Sequence, residues 1–481
     1  MKQHDSSTLL KYCLKFLTIK LILLLAGCAC ATQTTEDYRG ADLKILREET
    51  TLYLNAAHII NDLKTLPQDA TAYINPTCAT QKLLSPQDQK QLDQAFNQKF
   101  FAPWQQRKNY FSKGSVRWSV EKYRNHLGYG ENQQPHSSAW FNELIERANL
   151  SNYPDTQRRA ITLRNTYLRG LPTDKPHFND SNIAGEGYPF DNLQNSVIWA
   201  NTPIFVSHLS VDKSWALTES SIASGWINMQ DIAFIDDDSI KKWQTYPLVA
   251  LVKDDIPILD EAGIFRFKGQ IGAIFPKMGE SNKNYRILIA IGSENHHAMM
   301  RQANLSKEAA VEKPLLLSPA TTAQVINQLL LKPYGWGGLY ENRDCSSTLK
   351  DLFTPFGLWL PRNSADQAKT GHFVSLAHLN AEEKEKRILT DGIPYKTLLW
   401  KKGHILLYIG QFQGKALVFH NLWGIKTWEK GKESRKVIGH SVITTLEPGI
   451  ELVEVGDEGS VLKNIIGMTI LSPPYHFTRC Q

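Results

Sequence analysis

The sequence predicts a multidomain α+β protein: a helical N-terminal segment, two small β-barrels in succession, and a C-terminal α+β domain with helices first and antiparallel strands after. Three observations predict it. At 481 residues the chain is too long for one ordinary core. Its texture changes near Leu171-Pro172-Thr173, where helical periodicity gives way to short β-rich runs. Its composition, 42% hydrophobic and 10% aromatic, is that of a chain that packs over most of its length.

Residues 1–27 read as a secretory signal: lysines, then Leu21-Ile22-Leu23-Leu24-Leu25, then Ala26-Gly27, an apolar run too short to span a bilayer. Leu25-Ala26-Gly27-Cys28 resembles the lipobox of bacterial lipoproteins. That resemblance implies a diacylglycerol on the Cys28 thiol and Cys28 as the mature N-terminus; the alternative is a plain secretory signal that contains a cysteine. Ala29 stands where some Gram-negative lipoproteins carry an aspartate that favours inner-membrane retention, so the expected location is the periplasmic face of the outer membrane. Residues 28–40 are polar and read as a tether.

The formal charge is +6, but residues 1–27 hold Lys2, Lys11, Lys15 and Lys20 against Asp5, and their removal leaves +3. A near-neutral chain without a Lys/Arg run lacks the footprint of a nucleic-acid binder. The six cysteines show no metal-ligand spacing, so neither a zinc site nor any other metal or cofactor is expected. Cys78 and Cys480 are candidates for a disulfide in an oxidising envelope, a pairing that spacing does not decide.

Residues 41–171 read as the helical segment. Leu43, Leu46, Leu52, Leu54, Ile59, Ile60 and Leu63 follow a helix-like apolar pattern. Ser85-Pro86 starts a helix before Leu92, Ala95, Phe96 and Phe100, and Ser138 precedes Trp140, Phe141, Leu144 and Ile145. Residues 172–243 and 244–295 carry close-set β runs, among them Val197-Ile198-Trp199, Ile204-Phe205-Val206, Leu248 to Val252 and Tyr285 to Ile289, which fit two consecutive barrels. Residues 296–317 are largely polar and read as a linker. From 318 to 481 lies the last domain: Ser318-Pro319 caps a helix, a glycine-rich loop follows, then a second helix bearing Leu349, Leu352, Phe353 and Phe356, and later the strands His404 to Ile409 and Ala416 to His420.

Asp344-Cys345-Ser346-Ser347 stands where the glycine-rich loop turns into a helix from about Ser346 to Phe356. Unpaired N–H groups and the positive dipole end at a helix N-terminus stabilise a thiolate, lower a thiol's pKa, and can hold an oxyanion. A lone cysteine is more often a buried structural residue, but an apolar core rarely seats an aspartate and two serines beside it. A thiol nucleophile also needs a base and a group that orients the base. His404 opens its strand and shares a face with Leu406 and Tyr408; His420 closes the next, so neighbouring antiparallel strands can set the two imidazoles side by side. His372, His378 and His440 are rivals, and Asn421 is an alternative orienter that alternation turns to the opposite face.

Tyr334-Gly335-Trp336-Gly337-Gly338, Arg343-Asp344-Cys345-Ser346, Leu360-Pro361-Arg362-Asn363-Ser364 through Gln367, Gly403-His404 through Gly410, and His420-Asn421 together resemble the NlpC family of papain-like cell-wall cysteine peptidases. Upstream, Leu171-Pro172-Thr173, Gly185 through Asp191 and Gly225-Trp226-Ile227 resemble its larger members, which place a helical stabilising segment and two bacterial SH3-like barrels before the catalytic domain. The resemblance implies Cys345 as nucleophile, His404 as base and His420 as orienter. It also implies Tyr334 at the oxyanion or substrate, and Trp336, Asp344, Ser346 and Ser364 lining the acyl-side pocket, although packing is the better expectation for Trp336.

Such peptidases hydrolyse the bond between γ-linked D-glutamate and meso-diaminopimelate or L-lysine in peptidoglycan stem peptides. Members that need a free N-terminal amine pair it with an acidic residue at the position of Asn363, which supplies no charge; Asp212, Glu219 or a tyrosine of the first barrel is a candidate replacement. The expected partners are stem peptides or murein, and the membrane through the lipid anchor. Two other readings stand beside this one: a non-catalytic wall-binding lipoprotein, and an amidase or acyltransferase using the same papain-like site.

Overall fold

The computed structural model describes residues 60–472. The signal segment, Cys28, the tether, residues 41–59 and Cys480 lie outside the described residues. Cys78 is disulfide-bonded.

The N-terminal segment holds helices Asn61–Thr65, Pro86–Gln105, Lys113–Val116, Trp118–Tyr123 and Ser138–Ala148. Ser85 caps the long one by accepting from the Asp88 N–H, with Pro86 in the first turn where a missing N–H costs nothing. That helix buries Phe96, Phe100, Phe101 and Trp104 in a core shared with Ile161, Ile235, Ile274 and Leu288. Trp104 Nε1 donates to the Ala160 carbonyl at 2.8 Å.

The first barrel comprises β1 (Arg158–Thr162), β2 (Thr166–Arg169), β3 (Gln194–Ile198), β4 (Pro203–Leu209), β5 (Trp215–Ser220), β6 (Ser224–Asn228) and β7 (Ile232–Phe234), in the order β3-β2-β6-β5-β4-β1-β7. Its first two strands precede residue 172, inside the stretch that the sequence assigns to the helical segment. They are four and five residues long, too short for alternation to stand out, and the turn-rich composition begins only after them.

The second barrel holds β8 (Leu248–Leu251), β9 (Ile256–Leu259), β10 (Phe265–Gly269), β11 (Ile274–Glu280), β12 (Asn284–Gly292), β13 (Ala298–Ser306) and β14 (Ala310–Glu312). Its main sheet runs β13-β12-β11-β8-β14, with β10-β9 as a separate pair. Most of the expected linker 296–317 is therefore barrel: β13 pairs with β12 along its whole length, Asn284 with Ser306 through Gly292 with Ala298. Much of β13 faces solvent and only Ala303 and Leu305 are buried on it, so its composition reads as a linker while its backbone is in a ladder.

In the C-terminal domain, Ser318 caps helix Pro319–Leu329 in a capping box with Thr321. Six strands follow in the sheet order β15 (His372–Ser375), β20 (Gly467–Ile470), β16 (Thr397–Lys401), β17 (His404–Phe412), β18 (Lys415–Glu429), β19 (Lys432–Thr445). Leu349, Leu352, Phe353 and Phe356 pack with Ile405, Leu407, Ile409, Leu417 and Phe419. Leu406, Tyr408, Ala416 and Val418 pack in a different cluster, the two-residue period of a sheet buried on both faces.

The loop before helix Cys345–Phe353 is clamped to both barrels. Arg343 gives two bonds to Asp254 (2.8 and 2.9 Å), one to Asp351 (2.7 Å) and one to the Ile271 carbonyl (2.8 Å). Asp351 also accepts from Trp199 Nε1 at 3.0 Å. Gly272 (φ +99°) lets the backbone approach this cluster: a Cβ there would lie 2.5 Å from an Asp351 carboxylate oxygen. On the other side Gly338 (φ +86°) is seated against β3, where a Cβ would meet Val197 Cγ1 at 2.4 Å. Replacing Arg343 with Met leaves the buried Asp254 without its ion-pair partner and Asp351 with Lys350 alone. The expected loss is about 3–5 kcal/mol, read as a lowered urea-unfolding midpoint, and an unchanged midpoint contradicts this account of the junction.

Candidate active site

Asp344 makes the start of the Cys345–Phe353 helix. Its carboxylate accepts from the Ser347 N–H at 2.9 Å while its own N–H donates to Ser347 Oγ at 2.9 Å, a capping box that leaves Cys345 as the first helical residue. Arg362 holds that cap with bonds of 2.6 and 3.1 Å to the Asp344 carboxylate, and reaches Ser346 Oγ (3.0 Å) and Ser196 Oγ of β3 (2.8 Å). Burial raises the Asp344 pKa, but Arg362 and Ser347 outweigh it and hold the carboxyl below its usual range. Asp344 and Ser346 are thus engaged in building the helix terminus.

His404 and His420 meet across β17 and β18. His404 Nε2 lies 2.8 Å from His420 Nδ1, and His420 Nε2 lies 3.1 Å from Thr444 Oγ1 on β19. Thr444 Oγ1 donates to the Thr445 carbonyl at 2.6 Å, which leaves it an acceptor for His420. The series then has one direction: His420 donates through Nε2 and accepts at Nδ1, His404 donates through Nε2, and His404 Nδ1, with no hydrogen-bond partner among the described residues, is free to accept a proton. Thr444 carries no motif signal, and only the third strand brings it here. Asn421 does other work: it donates to the Arg343 carbonyl (2.7 Å) and Thr348 Oγ1 (3.2 Å), pinning the helix base. Of the rival histidines, His440 is buried beside Ser441 and His372 is exposed on β15.

Cys345 and His404 are only 8% and 9% exposed. The Ile405 N–H, next along the chain from His404, favours the Cys345 thiolate, as do Arg362 and the Ser346 N–H. Burial and the Asp344 charge win, however, and push the thiol up to about 12. The depressed thiol pKa expected from a helix N-terminus is therefore not realised, because desolvation of the thiolate exceeds the help of the terminus. Burial also holds His404 well below the usual imidazole range, reinforced by His420 and Lys401, and takes His420 down to about 3. At rest the thiol and both imidazoles are neutral.

Around them, Tyr334 is linked to β19 by its N–H on the Gly439 carbonyl (2.8 Å), with its ring 5.8 Å from Trp423. Burial and the neighbouring Cys345 and Asp344 keep its phenol protonated. Trp336 is 38% exposed and meets Phe190 of the first barrel edge-on at 5.3 Å. Asn363 is an exposed cap: its carbonyl accepts from the Asp366 N–H (3.0 Å) and its amide donates to the Asp366 carboxylate (2.6 Å). Ser364 opens that helix, Ser364–Gln367, and is partly exposed. Asp212 is bonded to Ser210 and Ser214 of its own barrel, and Glu219 to the Tyr110 and Phe111 N–H groups of the N-terminal segment, so both are already engaged. Among the described residues no cluster of three or more His, Cys, Asp or Glu could hold a metal ion.

Four family models match consecutive parts of the chain: the NLPC_P60 stabilising domain over residues 17–153, an SH3 domain of SH3b1 type over 176–228, one of SH3b2 type over 236–282, and the NlpC/P60 family over 331–426. The last match contains Cys345, His404 and His420. The chain belongs to the NlpC/P60 family. Among solved structures, this NlpC/P60 protein is similar to an NlpC/P60 endopeptidase from Photobacterium damselae subsp. piscicida, with 28% identity, 84% of this chain and 97% of that one covered, and a TM-score of 0.76. Weaker likenesses include an NlpC/P60 family protein from Bacillus cereus (17% identity, 59% and 83% covered, TM-score 0.40) and a peptidoglycan hydrolase from Mycobacterium tuberculosis (16% identity, 30% and 60% covered, TM-score 0.18). No curated protein matches the chain.

Two outcomes follow for this NlpC/P60 protein without ligand. Because the thiol lies near 12, the rate of Cys345 alkylation by iodoacetamide should rise about tenfold per pH unit from neutrality towards pH 10, as the thiolate fraction grows; a plateau from pH 5 to 9 would instead reveal a preformed thiolate–imidazolium pair. Thr444→Val removes one acceptor from His420, a loss of about 0.5–1.5 kcal/mol, and should slow alkylation at pH 7 by about three- to tenfold, with Thr444→Ser restoring it. Equal rates in all three proteins would remove Thr444 from the relay.

Proposed function

We propose that this protein is a thiol endopeptidase that hydrolyses peptidoglycan stem peptides between γ-D-glutamate and the following diamino acid. The observation that carries the reading is the directed chain Thr444–His420–His404, which leaves a bare nitrogen on His404 for the proton of Cys345 at a capped helix start. The family match over 331–426 and the likeness to an endopeptidase at 28% identity support it.

In this reading the Cys345 thiol gives its proton to His404 Nδ1 as sulfur attacks the γ-carbonyl, so that neither partner begins as an ion in a buried site. The oxyanion is held by N–H groups at the helix start and the Tyr334 hydroxyl. His404 passes the proton to the departing amine, leaving a γ-glutamyl thioester on Cys345. Water, deprotonated by His404, then releases the γ-carboxylate and returns the proton to sulfur. Trp336 and Ser364 line the acyl side, and Asp344 and Ser346 shape it through Arg362. The step as written uses no metal or cofactor.

Asn363 carries no charge and is occupied in capping, so the reading includes no requirement for a free N-terminal amine. The two barrels provide the surface that meets the wall. The protein works from a lipid on Cys28, at the periplasmic face of the outer membrane.

Mass spectrometry of L-Ala-γ-D-Glu-diaminopimelate peptides, with free and with blocked amines, tests this. Both should be cut at the same bond, at rates within about tenfold of one another if no charged pair to the amine is lost, and Cys345→Ala should lower cleavage by about 10⁴-fold or more. Intact peptides after incubation with the mature protein would refute the peptidase reading.

A further inference from the structure

Lys401 ends β16 and is the cross-strand partner of His404. Directly opposed residues leave the same face of a sheet, so its ammonium shares the surroundings of the His404–His420 pair. It interacts electrostatically with both imidazoles and with Cys345. The sheet order β16-β17-β18-β19 puts it across His404 from Tyr334 and Trp423, which stand on the β18–β19 side. If those residues receive the acyl group, Lys401 faces the leaving group.

The ammonium is half-buried, and among the described residues it has neither an ion pair nor a hydrogen bond. Besides the two imidazoles, the ionisable groups that act on it are the Cys345 thiol, Arg435 and Lys426. Both cations are already matched: Lys426 by Glu433 at 2.7 Å and by Glu458, and Arg435 by Glu433 at 2.6 Å. Burial holds the Lys401 ammonium below the usual lysine range, with Arg435 and Lys426 acting in the same direction and Cys345 opposing. A partly desolvated cation among cations needs an anion from outside.

We propose that Lys401 binds a carboxylate on the leaving diamino acid and so selects meso-diaminopimelate over L-lysine. The inference rests on the peptidase reading above. The two residues share a side chain ending in an amine, but diaminopimelate adds a carboxylate on the carbon that bears it. That side-chain carboxylate can pair with Lys401, whereas both peptides share the α-carboxylate and the lysine side chain brings only an ammonium.

The test compares kcat and KM for L-Ala-γ-D-Glu-meso-diaminopimelate and L-Ala-γ-D-Glu-L-lysine with the full mature chain. A charged hydrogen bond predicts a preference for diaminopimelate of about ten- to hundredfold in kcat/KM. Lys401→Met should erase that ratio, chiefly through KM for the diaminopimelate peptide. Lys401→Glu should invert it, and Lys401→Arg should keep it. If both peptides slow together in Lys401→Met and the ratio survives, Lys401 acts on the thiolate or on folding and the selection is wrong. If the wild-type chain cuts neither peptide, the peptidase reading fails, and protection of Cys345 from iodoacetamide decides the Lys401 question separately. Better protection by the diaminopimelate peptide, lost in Lys401→Met, supports the site, and equal protection overturns it.

Discussion

The guanidinium of Arg343, held between Asp254 and Asp351, is the contact on which the rest of the molecule depends. It joins the second barrel, through Asp254 and the Ile271 carbonyl, to the helix whose first residue is Cys345. Trp199 brings the first barrel to the same carboxylate. A buried ion cluster of this kind adds little net stability over apolar packing, yet tolerates no missing member. It therefore fixes geometry: Cys345 is positioned by groups drawn from three domains, and the barrels form part of the framework of the candidate site.

The same enclosure sets the chemistry. A helix start, an arginine and two N–H groups favour a thiolate, but burial acts against every ion at once. The result is a site of neutral groups joined by a directed series of hydrogen bonds. That series ends on the Thr445 carbonyl, which determines the tautomer of each imidazole in turn. Lys401, which has no ion pair among the described residues, is the counterpart: a charge that in our proposal the substrate matches.

Much of the fold was legible because caps and apolar periods are local. Ser85, Ser318 and the start at Cys345 can be read from the residues themselves. Among the strands that escaped notice, β1, β2, β13 and β14 are short or expose much of one face, and their strand character comes from ladder partners elsewhere in the chain. Cys345, His404 and His420 stood out because each pairs an unusual side chain with an element terminus. Thr444 and Lys401 did not, since a threonine or lysine in a strand has no distinguishing neighbours until the sheet is assembled.

What the sequence alone determined was which groups are present and which face or helix end carries each, because those depend on neighbours within a few residues. Their ionisation was decided only by tertiary structure. The Arg343–Asp254 pair spans 89 positions and His404–His420 spans 16, and the burial that keeps Cys345 protonated comes from the packing of the whole domain. The desolvation of a charge depends on everything packed around it, and no local pattern in the sequence contains that sum.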